Sequence, residues 1–492
     1  MTTINRSIHA AILCSLACST PTVAQQANQQ GPQPALTLTN ASAQSQQWTG
    51  VGRLSLPGNK QCIATLLEPG EGPHAADAPA YVVTSGHCVA QRHGVIVQDQ
   101  PLSASVSFNY FVDTPDERKQ LSVKRIVWSS MQGIDLALLE LDVTLEQARA
   151  QGIVPLPIGP ALASGSQVTV LGEPSRPDLG LRLLTCTEQS AGVVMRRPWV
   201  WRHARGNDCL GLAEGASGSP VIEPASGKLV GVVNSIGAAH CSADNPCRAD
   251  ETAPAAQAPR NFSMPVQRLL GCWREGRVDL AQPDCHLTPG FRLEQQTSPP
   301  AVTKIASAAD GLESLPSWGL AFTLDTPRYR YKATRDALAC EDPLGYSGTI
   351  AASENRIDDP IGPEPGWHYL CLIGVDSPEH RPSSALMANS LSIATLLLPA
   401  GLPEPSLTTR YTADGDIDIT WHLDLPNLTR YRVKRGAPDK IDCNDPAGFR
   451  ALPRLDHRIP AAQLPMTVCT MAFDLLKQGS PPRTDLLLPK PS

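Results

Sequence analysis

The chain has 492 residues, more than a single hydrophobic core normally holds, so it is expected to fold into several domains. Its net charge of −6 and the lack of any basic block argue against nucleic-acid binding. Past the amino terminus no apolar run is long enough to cross a bilayer, because the most apolar stretch, 385–402, is interrupted by polar residues and by Pro399.

The amino terminus has the pattern of a secretory signal peptide over residues 1–24. A positive charge precedes an apolar stretch that ends at Cys18, and Thr22-Val23-Ala24 provides a cleavage site. Ser15 stands three residues before Cys18, where a lipoprotein carries a large aliphatic residue, so lipidation is disfavoured. Residues 25–47 are rich in Gln, Ala, Ser and Thr, which predicts a flexible arm. We therefore expect a secreted or periplasmic protein.

Three short segments in the first half of the chain carry the residue types of nucleophilic catalysis. They are Thr84-Ser85-Gly86-His87-Cys88, Gly133-Ile134-Asp135 and Gly215-Ala216-Ser217-Gly218-Ser219-Pro220. A serine hydroxyl is a poor nucleophile at neutral pH, so it needs a base to accept its proton and a carboxylate to orient that base. Ser217, His87 and Asp135 can supply these three roles.

The His, Asp, Ser order and the residues around each resemble the trypsin-like (chymotrypsin-fold) serine peptidases, bacterial secreted type, over residues 48–273. The resemblance implies an all-β peptidase domain of two barrels, which we place at 48–285, with His87, Asp135 and Ser217 catalytic in the cleft between them. It also implies an oxyanion hole formed by the backbone amides of Gly215 and Ser217. No cofactor would be needed, and the substrates would be proteins or peptides.

Short strand patterns with turn residues between them favour antiparallel barrels over alternating strands and helices. The predicted strands are 51–56, 81–83, 104–111, 121–128, 136–141, 167–171, 181–186 and 228–235. A closing helix is predicted over 265–273, with Pro265 tolerated in its first turn.

Two features differ from the animal digestive enzymes of this family. Ala216 precedes the candidate nucleophile, where members activated by proteolysis carry an aspartate that binds the new amino terminus. The domain also opens as Gln47-Trp48-Thr49-Gly50-Val51-Gly52, without an Ile-Val-Gly-Gly-like start. We therefore expect an oxyanion hole that forms without proteolytic activation.

The resemblance also indicates where a substrate would bind. The base of the primary pocket would lie near Gly211, where a tryptic enzyme carries an aspartate, so selectivity for Arg or Lys by that route is not expected. Ser235 and Gly237 would belong to the segment that pairs with the substrate backbone. Glu214 would lie near the pocket mouth, although a solvated loop charge is an equally good interpretation.

The chain has 14 cysteines, and those beyond the signal segment are even in number, which suits an oxidising compartment. Cys62 and Cys88 resemble the family's bridge beside the catalytic histidine. The simplest further pairings join neighbours, although sequence alone does not fix connectivity: Cys186 with Cys209, Cys241 with Cys247, Cys272 with Cys285, Cys340 with Cys371, and Cys443 with Cys469. No Cys-x-x-Cys pair occurs, so no metal site is expected.

Residues 286–317 hold several prolines among small residues, which predicts a linker with a strand or two. The chain then repeats itself after about a hundred residues: Arg328-Tyr329-Arg330-Tyr331-Lys332 is echoed by Arg430-Tyr431-Arg432-Val433-Lys434, and two cysteines follow in each copy. Alternating segments at 319–324 and 416–423 indicate strands. We predict two β-sandwich modules of fibronectin-like or immunoglobulin-like type, at 318–400 and 401–480, and a tail at 481–492.

Three hypotheses about function follow. The leading one is a secreted serine endopeptidase whose carboxy-terminal modules bind a surface or polymer, or act as spacers. The second is a catalytically inactive trypsin-like scaffold that acts in adhesion or recognition. A non-peptide acyl hydrolase is disfavoured, because 215–219 lacks the final glycine of Gly-x-Ser-x-Gly and His87 precedes the serine. Calcium could bind at 113–117, for which a solvated turn is the better interpretation.

Overall fold

A computed structural model describes residues 34–70, 72, 74–172, 180–236, 247–248, 261–288, 292–307, 311–422 and 428–491. The predicted signal peptide lies outside these ranges. Strands dominate the described residues, and their α-helices are short: Gly86–Val89, Leu145–Ala150 and Ser384–Ala388. No helix in the described part is both long and apolar enough to span a membrane.

Six antiparallel strands form a closed first barrel. In barrel order they are Val51–Ser55, Val97–Phe108, Lys119–Ser130, Leu136–Thr144, Pro79–Thr84 and Gln61–Glu68. The barrel closes because Val51–Ser55 pairs with both Gln61–Glu68 and Val97–Phe108. Every strand contributes aliphatic side chains to the interior, among them Leu54, Val82 and Leu139. Closure removes the unpaired edges, which stabilises strands as short as these.

Six further antiparallel strands form the second barrel. In barrel order they are Arg182–Arg196, Trp199–Asn207, Asn261–Pro265, Leu229–Ile236, Pro220–Ile222 and Ser166–Gly172. Closure comes from Ser166–Gly172, which pairs with both Pro220–Ile222 and Arg182–Arg196. The short strands Leu36–Thr37 and Cys247–Arg248 add to Arg182–Arg196. The predicted two-barrel fold is confirmed.

All the predicted barrel strands exist, but two of them extend well beyond the predicted segments. The strand predicted at 104–111 runs over Val97–Phe108, and the strand predicted at 181–186 runs over Arg182–Arg196. Both contain bulges, between Pro101 and Ala104 in the first and around Gly192 in the second. A bulge lets a strand continue through residues that a sequence pattern assigns to a turn.

The closing helix predicted over 265–273 is wrong in type and extent. A 3-10 helix covers only Gln267–Cys272, and Trp273–Arg274 then pairs with Arg277–Val278. The Cys272–Cys285 disulfide brings the chain back against this helix. A Cβ atom on Gly271 would lie 2.1 Å from the Asp284 carbonyl oxygen. Local propensity registers neither the cross-link nor this close approach, and the chain leaves the helix at Cys272 to form the strand pair.

The arm predicted to be flexible over 25–47 is folded in its second half. Leu36 and Thr37 pair with the second barrel, and Leu38 is buried. The Asp113 carboxylate accepts hydrogen bonds from the backbone amides of Asn40, at 2.9 and 3.0 Å, and Ala41, at 2.8 Å. Composition did not reveal this order because both anchors, a strand edge and a carboxylate, lie far away in sequence.

A first module follows the barrels and is a sandwich of two sheets. One sheet contains Leu293–Thr297, Leu320–Leu324 and Arg356–Ile357; the other contains Val302–Lys304, Leu391–Leu398, Gly366–Val375, Arg328–Thr334 and Ile350–Ala351. The strands Leu293–Thr297 and Val302–Lys304 lie within the predicted linker, so the module begins there. The prolines at 299 and 300 separate two edge strands, a position where proline is tolerated.

The second module repeats this arrangement. One sheet contains Ser406–Tyr411, Ile417–His422 and Asp456–Ile459; the other contains Arg450–Ala451, Leu428–Gly436, Met466–Asp474 and Arg483–Leu487. The last of these strands lies in the predicted tail. The prediction of two sandwich modules is confirmed.

Five of the predicted cysteine pairs are disulfide-bonded. They are Cys62–Cys88, Cys186–Cys209, Cys272–Cys285, Cys340–Cys371 and Cys443–Cys469. Of the sixth predicted pair, Cys241 with Cys247, Cys241 lies outside the described residues, so this pairing stays a prediction. Disulfides in this number are typical of proteins that mature in an extracellular or periplasmic environment.

Candidate active site

Three local structures position the three candidate catalytic residues. His87 lies in the short helix Gly86–Val89, directly after the strand Pro79–Thr84. Asp135 immediately precedes the strand Leu136–Thr144 of the same barrel. Ser217 lies in the turn before Pro220–Ile222, in the second barrel. The structure therefore brings these residues together from both barrels.

The three side chains form one hydrogen-bonded chain. His87 Nδ1 lies 2.7 Å from Asp135 Oδ2, and His87 Nε2 lies 2.9 Å from Ser217 Oγ. The backbone amide of His87 also donates to Asp135 Oδ1 at 2.8 Å. Asp135 is completely buried, so both of its oxygens are directed at His87 rather than at solvent. This arrangement selects the tautomer with its proton on Nδ1, which leaves Nε2 free to accept the serine proton.

The turn around Ser217 requires glycine at two positions. Gly215 has a φ of +95°, in the left-handed region that favours glycine. At Gly218 a Cβ atom would lie 2.0 Å from the Ile63 carbonyl oxygen. Among the described residues, no hydrogen-bond acceptor is paired with the Gly215 or Ser217 amide, whereas the Gly218 amide donates to Val233 at 2.7 Å. Two amides near the serine hydroxyl are therefore available for an added oxygen.

Hydrogen bonds between the barrels fix the distance from histidine to serine. The Ile63 amide donates to the Ser217 carbonyl at 2.8 Å. Ser85, two residues before His87, donates its hydroxyl to the Val233 carbonyl at 2.9 Å. Sequence reasoning did not assign these roles. Ser85 could have been noticed because it belongs to the histidine segment, but nothing local points to Ile63.

The predicted substrate-binding residues occupy different environments. Gly211 is exposed with a φ of +93°, and a Cβ atom there would face Ala35 Cβ at 3.6 Å. Glu214 is exposed, whereas Ser235 is buried and donates its hydroxyl to Asn234 Oδ1 at 3.3 Å. Gly237 lies outside the described residues. Ala35 beside Gly211 means that the amino-terminal segment supports the predicted pocket loop.

Lys60 is a neighbour of the site that the sequence did not reveal. Its ammonium group donates to the backbone carbonyl of His87. Burial lowers the pKa of Lys60, and the Asp135 carboxylate opposes that shift. The signal that could have found it is the Cys62–Cys88 disulfide, which ties the segment after Lys60 to the residue after His87.

In the part of the chain that the structure describes, two groups of residues that could be considered for a metal ion make other bonds. Asp113, in the segment weighed for calcium, accepts from the Asn40 and Ala41 amides as described above. Cys62, His87 and Cys88 lie close together, but the two sulfur atoms form a disulfide and offer no thiolate.

A family model described as the trypsin-like peptidase domain matches residues 70–232, a range that contains His87, Asp135 and Ser217. No curated protein matches the chain.

Solved structures similar to part of the chain include two proteases and a heparin binding protein, all at low identity. A thermostable serine protease, AL20, from an extremophilic microorganism is 15% identical over 46% of this chain and 96% of its own, with a TM-score of 0.31. The protease Anisep from Arthrobacter nicotinovorans is 16% identical over 44% and 90%, with a TM-score of 0.30. Human heparin binding protein is 16% identical over 47% and 90%, with a TM-score of 0.32.

Two closed six-stranded barrels, with a His-Asp pair on one and a serine turn on the other, define the class of chymotrypsin-like proteins. Together with the family match at residues 70–232, they identify the barrel domain as a trypsin-like peptidase domain.

Proposed function

We propose that this chain is a secreted serine endopeptidase that hydrolyses peptide bonds through His87, Asp135 and Ser217. The observation that carries the proposal is the hydrogen-bonded chain from buried Asp135 through His87 to Ser217 Oγ, with distances of 2.7 and 2.9 Å. These are the distances at which a base can accept a hydroxyl proton.

Acylation follows from this geometry. Ser217 Oγ attacks the carbonyl carbon of a peptide bond while its proton passes to His87 Nε2. The Asp135 carboxylate stabilises the resulting imidazolium through Nδ1–H. His87 then gives the proton to the leaving amine, the C–N bond breaks, and an ester to Ser217 remains. Water, activated by the same His87, hydrolyses the ester and restores the serine.

The tetrahedral intermediates carry a negative oxygen that needs hydrogen-bond donors. The Gly215 and Ser217 amides are the proposed donors, since neither is paired with a described acceptor. Removing one such donor from related chemistry costs about 10²–10³ in turnover. Gly215 already has the left-handed backbone expected of this turn, which supports an oxyanion hole that needs no proteolytic activation.

The location and the substrate contacts belong to the same proposal. The signal-like residues 1–24 and the disulfides support export to the periplasm or the medium. Gly211, Glu214, Ser235 and Gly237 are proposed to line the substrate site. Gly211 offers no charge to an Arg or Lys side chain, so tryptic selectivity is not expected from it.

The test is labelling with a fluorophosphonate probe, which reacts with activated serine hydroxyls. We expect the mature, disulfide-intact protein to be labelled, and Ser217→Ala to abolish labelling. His87→Ala should slow labelling roughly 10⁴-fold or more, because the hydroxyl loses its base. Ser219→Ala is the matched control: this serine lies in the same turn, is buried, and its substitution should leave labelling intact.

A folded wild-type protein that is not labelled would overturn the proposal. The inactive scaffold would then be the better description, and the two modules would become the place to look for activity. Labelling that survives Ser217→Ala would instead assign the nucleophile to another residue.

A further inference from the structure

The barrels and the first module share one apolar core. A single cluster of buried side chains contains Met131, Ile134 and Trp201 from the barrels together with Leu293, Trp318, Phe322 and Tyr329 from the module. Trp128 of the first barrel also donates its indole N–H to the Thr288 carbonyl at 2.9 Å. We call the contact between the barrels and the first module the seam. It is a packed interior rather than a linker contact.

A completely buried arginine lies in the seam. The guanidinium of Arg202 donates from Nη1 to the hydroxyls of Ser390, at 3.1 Å, and Ser392, at 2.9 Å. Its Nη2 donates to the carbonyls of Ala388, at 2.8 Å, and Ser390, at 3.2 Å. Its Nε lies 3.0 Å from Glu341 Oε1. Every one of these partners belongs to the first module.

Glu341 is the charged partner that the seam requires. Its other oxygen lies 2.8 Å from His203 Nε2, and Arg268 Nη2 lies 3.6 Å from Oε1. Burial would raise the pKa of Glu341, but His203 and the two arginines outweigh it and hold the pKa below its usual value. Burial lowers the pKa of Arg268 to about 10, which still leaves it charged at neutral pH. The seam therefore contains an ionised carboxylate bound by cations.

The other side of Arg202 touches the loop that carries Asp135. The Arg202 amide donates to the Gly133 carbonyl at 2.8 Å. A Cβ atom on Gly133, whose φ is +67°, would lie 2.3 Å from Arg202 Nη2, so the guanidinium packs directly on this glycine. Asp135 follows two residues later, and its carboxylate makes both contacts to His87. Arg202 thus connects the first module to the backbone just before Asp135.

The histidine side of the site also meets the module. The Leu293 amide donates to the Gly94 carbonyl at 2.7 Å, and Val95 bridges to Arg292. Nearby, His93 Nδ1 lies 2.7 Å from Gln295 Nε2. The segment that follows the His87 helix is therefore paired with the first strand of the module.

A buried ion pair is an inefficient way to stabilise a contact between two domains, because both charged groups must lose their hydration. Well-packed apolar side chains would stabilise the contact as strongly without that desolvation cost. What a planar guanidinium adds is direction, because its donors fix several acceptors in one plane. Here the fixed elements are module carbonyls and hydroxyls on one side and the Gly133 backbone on the other.

We propose that Arg202 is a positioning residue for catalysis: anchored by Glu341, Ser390 and Ser392 of the first module, it holds the Gly133–Asp135 backbone so that the Asp135 carboxylate meets His87. The first module is then a structural part of the active site and not a separable accessory. This inference rests on the proposed serine peptidase function.

The test compares two arginines of one strand. Arg202→Met removes the guanidinium contacts across the seam. Arg205→Met is the matched control, because Arg205 is three residues further on and makes a largely buried ion pair with Glu188, at 3.2 Å, inside the second barrel. Both variants should lower the melting temperature. Fluorophosphonate labelling is measured at saturating probe, per folded molecule, from pH 5 to 9.

Arg202→Met should lower the maximal labelling rate about 10–100-fold, since a misplaced carboxylate no longer orients the base. The half-saturating probe concentration should change less than about threefold, because probe binding does not use Asp135. The acidic limb of the pH–rate profile should move to lower pH, because a less well placed Asp135 stabilises the imidazolium less. Arg205→Met should keep the wild-type rate and profile.

Glu341→Gln keeps the test decisive if Arg202→Met does not fold. It removes the anchor charge with little change in shape, and it should produce the same changes to a smaller degree. If Glu341→Gln, and folded Arg202→Met, are labelled at the wild-type rate and with the wild-type pH profile, this inference is wrong and the proposed function still stands. An unlabelled wild-type protein would overturn the proposed function and this inference with it.

Discussion

The two modules are copies of one sequence pattern, and their local structures agree closely. In each, a lysine lies opposite a disulfide cysteine, with Lys332 beside Cys371 and Lys434 beside Cys469. Lys332 donates to the Asp342 carbonyl at 2.7 Å and lies 4.8 Å from the centre of the Tyr346 ring. Lys434 repeats this with the Asp445 carbonyl, at 2.6 Å, and the Phe449 ring, at 5.0 Å.

Their surroundings differ completely. The first module shares its core with the barrels, whereas the second has a separate cluster that includes Ile419, Trp421 and Val468. Between the modules, Lys304 reaches Asp474 Oδ2 at 3.4 Å and also Gln478, a polar contact. The same repeat thus shares the core of the barrels in one copy and packs around its own core in the other. What decides between them is the complementary surface on the barrels and not the repeat.

The largest effect should come from truncation at the two module boundaries. A chain that ends at Gly401 keeps the seam, so it should fold and be labelled at close to the wild-type rate. A chain that ends at Thr288 exposes Trp201 and Ile134, which are buried in the shared core, so it should aggregate or remain unlabelled. The measurement is soluble yield, near-UV circular dichroism and labelling.

A chain ending at Thr288 that is soluble and labelled normally would contradict the comparison. The first module would then be a domain that merely rests on the barrels.

A matched pair of tryptophans sharpens the same contrast. Trp318 is 1% exposed in the shared core and Trp421 is 3% exposed in the second module. Replacing either by Ala should cost about 3–5 kcal/mol, through lost burial and a cavity. Trp318→Ala should lower the temperature of a transition in which the barrels and the first module unfold together. Trp421→Ala should lower only the temperature at which the second module unfolds.

Differential scanning calorimetry, with labelling followed during heating, assigns the transitions. If Trp421→Ala made labelling as heat-sensitive as Trp318→Ala does, the two modules would be coupled more strongly than their cores indicate.

The smallest expected effect is a pH dependence at the seam. Burial lowers the pKa of His93 to about 4, from 6.5 in an unfolded chain. The unfolded chain therefore takes up this proton first, and the free energy of unfolding should fall as the pH decreases from 6.5 to 4, by no more than about 3 kcal/mol. His93→Gln should flatten this part of the profile, because a neutral amide can still bond to Gln295.

Denaturant unfolding at several pH values measures this effect, with labelling competence as the probe. An identical slope in wild type and His93→Gln between pH 4 and 6.5 would assign the dependence to other groups.

The sequence predicted more of the candidate site than of the residues that support it. His87, Asp135 and Ser217 could be predicted because each lies in a short segment with a recognisable local motif. Arg202, Glu341 and Lys60 were not found, because their roles depend on partners from other domains or across a disulfide. The long helix expected at 265–273 is absent, and residues 36–41 of the arm expected to be flexible over 25–47 are anchored. Both differences have the same cause, because the Cys272–Cys285 bridge and the Asp113 carboxylate act from distant parts of the sequence.

From the sequence alone we predicted the strand-rich class, the two barrels, the repeated modules, five of the disulfide pairs and the three residues that the structure brings together. Alternating apolar residues, turn residues and short motifs each involve residues that are close in sequence, so the structures they indicate can be predicted from a short segment. Only the tertiary structure decided that the first module shares the core of the barrels, and that a buried arginine links it to the loop of Asp135. Those features arise when segments that are far apart in sequence bury their apolar surfaces against each other. No local pattern specifies which of these surfaces will pack together.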